Sequence, residues 1–357
     1  MSPLALIAAV LVVLTIEILF QAVVVRLSVA VFENRPPIGA EVFPPDSTAV
    51  SAAFTTRDRL QLVGSLWRSG CDSPRGLVLF CHELDSNRWS AMSYCEGLLA
   101  AGFHVFTFDF RNHGDSQSLA GYSPFHWATD YEVEDVLSAV AYLKSQPELA
   151  ELPLGLFGIS RGGTAAVAAA ARCELVRCVA TDGAVACNFL LEHYVHRWGR
   201  LYFNDRFLRS IPRWHELFSL WLIRRVSEFR RGMRYANIER SLAQLRNKPV
   251  LLISGERDTY IFPEMTRRLF ALTGQDASRL WIVPQAKHNM ARQTALQEYD
   301  SRLIEFFSLL DPAAFAATVS HAAVSGGDDN APFLNGSPSA SGRASSMSLP
   351  SSFSSSG

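Results

Sequence analysis

The sequence predicts an α/β fold: a mostly parallel, doubly wound sheet with an antiparallel start and a helical insertion between two of its later strands. Three observations carry that expectation. Eight short apolar runs rich in β-branched and aromatic residues recur along the chain, most of the later ones are followed by a helix-period pattern, and the first two are separated by a short polar loop. In order, the strand candidates are Ala49 to Thr55, Leu60 to Trp67, Gly76 to Cys81, Phe103 to Phe108, Leu154 to Phe157, Val176 to Thr181, Pro249 to Ser254 and Leu280 to Val283. Thr56-Arg57-Asp58-Arg59 makes the first pair a hairpin. The rest read as β-α repeats, whose parallel strands must be covered on both faces.

Length and composition bound the remaining possibilities. At roughly 150 residues per domain, 357 residues make about two domains, or one large α/β domain with appendages. With 48% hydrophobic and 19% charged residues, the chain is not disordered as a whole, collagen-like or a multi-span membrane protein. Thirty-three basic against 34 acidic residues leave a net charge of −1, which argues against binding to a nucleic-acid backbone and for a small-molecule partner. The six cysteines, Cys71, Cys81, Cys95, Cys173, Cys178 and Cys187, include no C-x-x-C pair. Several lie in apolar runs, so free buried thiols and a reducing compartment are expected.

Both ends differ from the middle. Pro3 to Val25 is apolar except for Thr15, Glu17 and Gln21. At roughly 1.5 Å per residue this crosses a hydrocarbon core, so residues 1–32 are expected to form a membrane anchor. Glu17 sits at mid-span, a costly place for a lipid-facing carboxylate. Arg26 and Arg35 follow the span, which by the positive-inside rule leaves the body in the cytoplasm. A cleaved signal peptide is the alternative, because Ser28-Val29-Ala30 resembles a cleavage site, and a helix docked on the body is a third reading. Pro36, Pro37, Pro44 and Pro45 mark a stiff linker over 33–46. At the other end, 313–357 is dominated by Ser, Gly, Ala and Pro and is expected to be a disordered tail, which leaves 47–312 as the folded body.

The sharpest local signal is Leu156-Phe157-Gly158-Ile159-Ser160-Arg161-Gly162-Gly163, a strand, a G-x-S-x-G turn and then an Ala-rich helix. A serine at such a turn has a strained backbone, and only small neighbours let the turn close and the hydroxyl stand clear. The helix that follows aims N–H groups at any nearby anion. A serine nucleophile needs a histidine base, itself oriented by a carboxylate. Downstream, the strand ending at Ser254 leads into Gly255-Glu256-Arg257-Asp258, and the strand ending at Val283 leads into a loop carrying His288. Ser160, Asp258, His288 is therefore the candidate catalytic set, with Asp182 and Glu256 as rivals for the acid. Among the other histidines, His104 lies in a strand and reads as core, and His193, His196 and His215 lie in the helical insertion.

These motifs resemble the α/β-hydrolase superfamily over about residues 50–310, closest in style to its lysophospholipase, monoacylglycerol-lipase and serine-aminopeptidase-like branch. Asp109-Phe110-Arg111-Asn112-His113-Gly114-Asp115-Ser116 resembles that family's D-x-R-x-H-G-x-S loop and reads as structural. In the loop after the third strand, Cys81-His82-Glu83-Leu84-Asp85 departs from the family's H-G pair, because Glu83 stands where relatives have glycine. By position the resemblance makes the backbone N–H groups of Leu84 and Arg161 the oxyanion hole, whose loss typically costs roughly 100-fold to 1000-fold in rate. It implies hydrolysis of acyl esters through an acyl-enzyme, with thioesters and peptides as other substrates of the same machinery. A non-catalytic binding protein of the same fold is the alternative that Glu83 raises. Haloalkane and epoxide chemistry is disfavoured, because those relatives have an aspartate where Ser160 stands.

Between Cys187 and Asn247 there is no strand pattern but a helical one, with Trp214, Leu217, Phe218 and Trp221 at three- and four-residue spacing. The resemblance makes residues 188–247 a cap over the acyl pocket. This segment has twelve arginines and no lysine against five acids, a net charge of +7 that leaves −8 for the rest, and eleven of its residues are aromatic. Such a cap suits an anionic bilayer and amphiphilic acyl substrates, or else its arginines solvate the outside while the aromatics pack inward. No G-x-G-x-x-G or G-x-x-x-x-G-K-[ST] pattern follows a strand, and His193-Tyr194-Val195-His196 lacks the H-E-x-x-H pattern. Neither a cofactor nor a metal is therefore expected.

Overall fold

The computed structural model describes residues 2–34, 41–202, 204–245, 247–274 and 277–311. The expected tail over 313–357 and the Pro36-Pro37 part of the expected linker lie outside the described residues. Among the described residues, eight strands form one sheet: β1 (Val50–Thr55), β2 (Gln61–Trp67), β3 (Gly76–Cys81), β4 (Phe103–Phe108), β5 (Leu154–Ile159), β6 (Val176–Asp182), β7 (Val250–Gly255) and β8 (Arg279–Val283). Their order is β1-β2-β4-β3-β5-β6-β7-β8. β2 runs antiparallel to both of its neighbours and the remaining pairings are parallel. All eight strands expected from the apolar runs are present. β5 and β6 run slightly past the expected ends, because burial continues to Ile159 and Asp182.

Helices alternate with these strands. The first is α1 (Pro3–Phe32), and α2 (Met92–Ala100), α3 (Asp130–Ser145), α4 (Pro147–Ala150) and α5 (Arg161–Ala170) follow within the first half of the sheet. Between β6 and β7 stand α6 (Cys187–Tyr202), α7 (Asp205–Ser210), α8 (Arg213–Arg231) and α9 (Ile238–Gln244), the inserted cap. The last are α10 (Pro263–Phe270), α11 (Ala291–Thr294) and α12 (Leu296–Phe307). Apolar faces of α3, α5 and α9 pack on one side of the sheet, and those of α2 and α12 on the other. That double cover makes the fully buried patterns of β3, β4, β5 and β7 possible. The chain turns from β4 back across β3 to β5, so the C-terminal ends of β3 and β5 flank the point where strand order reverses, the usual crevice in open α/β sheets.

The loop after β4 ties the crevice together. The fully buried Arg111 guanidinium donates to Asp135 of α3 at 2.6 Å and to Asp58 of the β1–β2 hairpin at 2.8 Å. Asp109 accepts from the backbone N–H of Arg88 at 2.7 Å and of Asp115 at 2.9 Å, and pairs with the Arg88 guanidinium. Gly114, at φ +48°, lies against that carboxylate, and a side chain there would collide with it. Residues 109–116 thus serve the structure through two buried arginine–aspartate pairs, Arg88–Asp109 and Arg111–Asp135, that span three segments.

A third apolar cluster joins α1 to the cap and to the segment before α3. α1 has two halves. Residues 3–20 are exposed apart from the partly covered Glu17 and Phe20, whereas Gln21, Val25, Val29 and Phe32 turn inward at four- and three-residue spacing. Phe32 stacks on Trp127 with ring centroids 4.6 Å apart, and Trp127 Nε1 donates to the Phe32 carbonyl at 3.0 Å. Each of the three buried apolar side chains contributes roughly 1.5–3 kcal/mol by burial. Glu17 has partners: it accepts from Gln21 Nε2 and lies 2.8 Å from His215 Nε2 of α8. In the cap, Trp214, Leu217, Phe218 and Trp221 do not pack inward; Trp214 is 69% exposed, and Phe218 and Trp221 stack on each other at the surface.

Removing one member of a buried ion pair leaves the other charge uncompensated. Asp135→Ala is expected to cost about 3–5 kcal/mol, read as a lower urea midpoint at unchanged slope. A midpoint equal to that of the wild type would remove Arg111 from the structural account.

Candidate active site

Ser160 sits between β5 and α5 with φ +51° and ψ −117°, a conformation side chains rarely adopt. Several features hold it there. Its N–H donates to the Asp182 carbonyl at 2.7 Å, and α5, every residue of which is buried, follows at once. At Gly162 any Cβ would meet the carbonyl oxygens of Cys81 and His82, so the small residue in the motif is what lets α5 approach the β3 loop.

Ser160 Oγ lies 3.1 Å from His288 Nε2, and His288 Nδ1 lies 2.7 Å from Asp258 Oδ2. Three side chains separated by 98 and 30 positions in sequence thus form one hydrogen-bonded line at the ends of β5, β7 and β8. Asp258 is fixed from its other oxygen, which accepts the N–H groups of Tyr260 and Ile261 at 2.8 Å each. The Tyr260 ring packs edge-on against His288, with centroids 5.2 Å apart. Neither rival acid reaches the imidazole. Asp182 accepts from the Tyr299 hydroxyl at 3.0 Å, and burial pushes its carboxyl up to about 6. Glu256 is spent on the N–H of Gln285 at 3.0 Å.

The β3 loop closes the other side. His82 is buried, and its Nε2 accepts from the Phe110 N–H at 3.1 Å while Nδ1 lies 2.7 Å from the Glu83 carbonyl. Burial holds its imidazole down at about 4, so it is a neutral spacer with a fixed tautomer. Glu83 is buried as well. Desolvation pushes its carboxyl up to about 7, against the Ser90 hydroxyl at 3.3 Å and the nearby His288. Asp85, at φ +62°, makes the turn that follows. Among the described residues, the backbone N–H groups of Leu84 and Arg161 have no protein acceptor.

Arg161 also has a side-chain role that the sequence reading missed. Its buried guanidinium pairs with Glu132 of α3 at 2.6 Å and donates to the Tyr122 hydroxyl at 3.0 Å. Burial alone would raise the Glu132 carboxyl, but the Arg161 charge and the hydroxyls of Tyr122 and Thr129 hold it below its usual value. Thr129-x-x-Glu132 is a capping box at the start of α3, a pattern legible in the sequence. Its tie to Arg161 was not legible, because it depends on how α3 and α5 pack. His104 is buried beside Ser69, as expected of a core histidine. Glu192, His196 and Glu216 come close enough together to hold a metal, but Glu192 pairs with Arg213 and Arg268, and Glu216 with Arg213 and His196. A cation there would have to displace arginines.

Residues 78–301 match a family described as the alpha/beta hydrolase family. The chain is 25% identical over 241 residues to YqkD, an uncharacterised protein of Bacillus subtilis, with 66% of this chain and 72% of that one covered. It is 27% identical over 139 residues to thiohydrolase aneE of Aspergillus aculeatus, covering 38% of this chain and 41% of that protein. Among solved structures it is similar to an esterase of Pyrococcus furiosus, with a TM-score of 0.56 at 23% identity over 76% of this chain and 95% of that one. With the strand order given above and a family match over most of the sheet, the chain belongs to the α/β-hydrolase family.

Proposed function

We propose that the protein is a membrane-associated serine hydrolase of acyl esters in which Ser160 is the nucleophile, His288 the general base and Asp258 its orienting acid. The observation that carries this reading is the hydrogen-bonded line from Ser160 Oγ through His288 to Asp258. His288 Nε2 takes the hydroxyl proton as Oγ bonds to the acyl carbon, and the carbonyl electron pair moves onto oxygen. Collapse expels the alcohol, which receives the proton from His288. A water then repeats the sequence on the acyl-serine, releasing the acid and restoring the hydroxyl. Asp258 stabilises the imidazolium that forms in each half. The free N–H groups of Leu84 and Arg161 are the donors for the oxyanion, and the N-terminus of α5 adds its dipole. Thioesters are the second substrate class, favoured by the similarity to a thiohydrolase.

Glu83 bears on the oxyanion hole through its proton. In its neutral form it places no negative charge beside the Leu84 amide. Its raised value also links it to stability: the folded state keeps a proton that the unfolded chain has lost, so stability falls as pH rises from about 4.5 to about 7.

The membrane association rests on α1. Its first eighteen residues, 3–20, exposed but for the partly covered Glu17 and Phe20, span about 27 Å, close to the roughly 30 Å of a hydrocarbon core. The exposed Trp214, Phe218 and Trp221 suit the headgroup level, where aromatic side chains concentrate. The packing of Val25 and Val29 favours retention of the helix over cleavage after Ala30, which would strip both from the apolar cluster they share with Leu190, Leu191 and Ile223. The expected orientation, from the flanking Arg26 and Arg35, puts the body in the cytoplasm.

Ester hydrolysis should fall about 10⁴-fold or more in Ser160→Ala and in His288→Ala, and a fluorophosphonate probe should label the wild type but not Ser160→Ala. Rates unchanged by either substitution would overturn the triad, and absence of labelling would favour a non-catalytic binding protein. Glu83→Gln should gain stability relative to the wild type by about 3 kcal/mol between pH 4.5 and 7 and hold that gain above; a constant difference across the window would mean that Glu83 is ionised throughout. Mass spectrometry of the mature protein should recover peptides crossing Ala30–Val31. A mature chain beginning at Val31 would sink the retained helix.

A further inference from the structure

A cavity of about 290 Å³ lies between α1 and the cap, apart from the Ser160 site. Val24, Leu27 and Val31 of α1 form one wall, and Leu191, Val195 and Trp198 of α6 form the facing one. Its volume is at the small end of the roughly 300–1,000 Å³ typical of ligand pockets. Of the polar side chains on its lining, His215 is engaged with Glu17, Ser219 with Gln21, and Glu216 with His196 and Arg213, which leaves the hydroxyls of Ser28 and Tyr194 on an otherwise apolar wall. A polar ligand would find little to hydrogen-bond there, so the complementary ligand is hydrocarbon.

Its place in the fold says where such a ligand comes from, and packed side chains link the cavity to the Ser160 site. The lining starts at Phe20, where the exposed apolar half of α1 ends, so the same helix that presents a lipid-compatible surface goes on to wall the cavity. At the other end the lining reaches Phe32. From Phe32 a run of ring contacts passes through Trp127, His126 and Tyr260 to His288, with centroid separations of 4.6, 4.2, 6.3 and 5.2 Å. Leu191 and Tyr194 belong both to the cavity lining and to the apolar cluster that contains Ile261 and Tyr260.

We propose that this cavity binds the hydrocarbon chain of the substrate, drawn from the bilayer along α1, so that the N-terminal helix is a wall of the substrate site as well as an attachment. This rests on the reading of the protein as an acyl-ester hydrolase and names its substrates as long-chain amphiphiles.

The test uses the full chain in lipid nanodiscs and two readouts. In the first, palmitate carrying a diazirine is photolysed with the protein and the labelled peptides are sequenced. Labels should fall on residues 20–32 and 191–199 and be lost in Val195→Trp and in Leu27→Trp, which fill the cavity from opposite walls. In the second, hydrolysis of p-nitrophenyl butyrate and palmitate is compared. Each variant should keep the butyrate rate and lose at least about tenfold in kcat/KM on palmitate, since each methylene excluded from an apolar pocket weakens transition-state binding. Butyrate also checks that each variant is folded. Labelling elsewhere, or equal losses on both esters, would overturn the proposal. Labelling of the cavity by a chain that hydrolyses neither ester would support the hydrocarbon site and overturn the hydrolase reading instead.

Discussion

The backbone of Ser160 is the constraint around which much of this molecule is arranged. A non-glycine residue at φ +51° costs on the order of 1–3 kcal/mol and persists only where the surroundings over-determine it. Here β5 holds the residue from one side and the buried α5 from the other, with Asp182 accepting its N–H. Gly162 lets α5 close on the β3 loop, and the Arg161–Glu132 pair fastens the start of α5 to α3. What is gained is position: the hydroxyl stands at the reversal point of the sheet, within reach of a histidine brought by a different strand.

The polar interior works to the same end. Arg88, just past the β3 loop, is held by Asp109, just past β4, and the Phe110 N–H holds His82 from the same side. The loop carrying Glu83 and Leu84 is thus clamped through side chains that do no chemistry. Burial favours the proton on the Glu83 carboxyl, which removes the charge that would be hardest to accommodate there.

α1 and the cap form the second organising unit. A helix apolar enough to cross a bilayer usually has no reason to carry Glu17 and Gln21, yet both meet partners on α8, His215 and Ser219. Polar groups that would penalise a lone span instead set where the helix docks, and the apolar residues at 25, 29 and 32 complete the contact. The arginines and exposed aromatics of α8 then lie on the same body as the exposed half of α1.

The strand pattern, the hairpin, the G-x-S-x-G turn and the chain order of Ser160, Asp258 and His288 were all legible in the sequence. Each is a local consequence of side-chain period or turn chemistry, and parallel strands buried on both faces leave little ambiguity. The choice among Asp258, Asp182 and Glu256 was not local. The packing of β6, β7 and β8 puts Asp258, and not Asp182 or Glu256, within hydrogen-bond distance of the His288 imidazole. The partner of Glu17, the tie between Arg161 and Glu132 and the outward face of the cap aromatics were decided in the same way. Local sequence thus specifies which elements form and which residues have the chemistry for a site. Which of those residues meet is set by the folded arrangement, because contacts between segments far apart in the chain depend on how helices seat on the sheet, and no local periodicity encodes that.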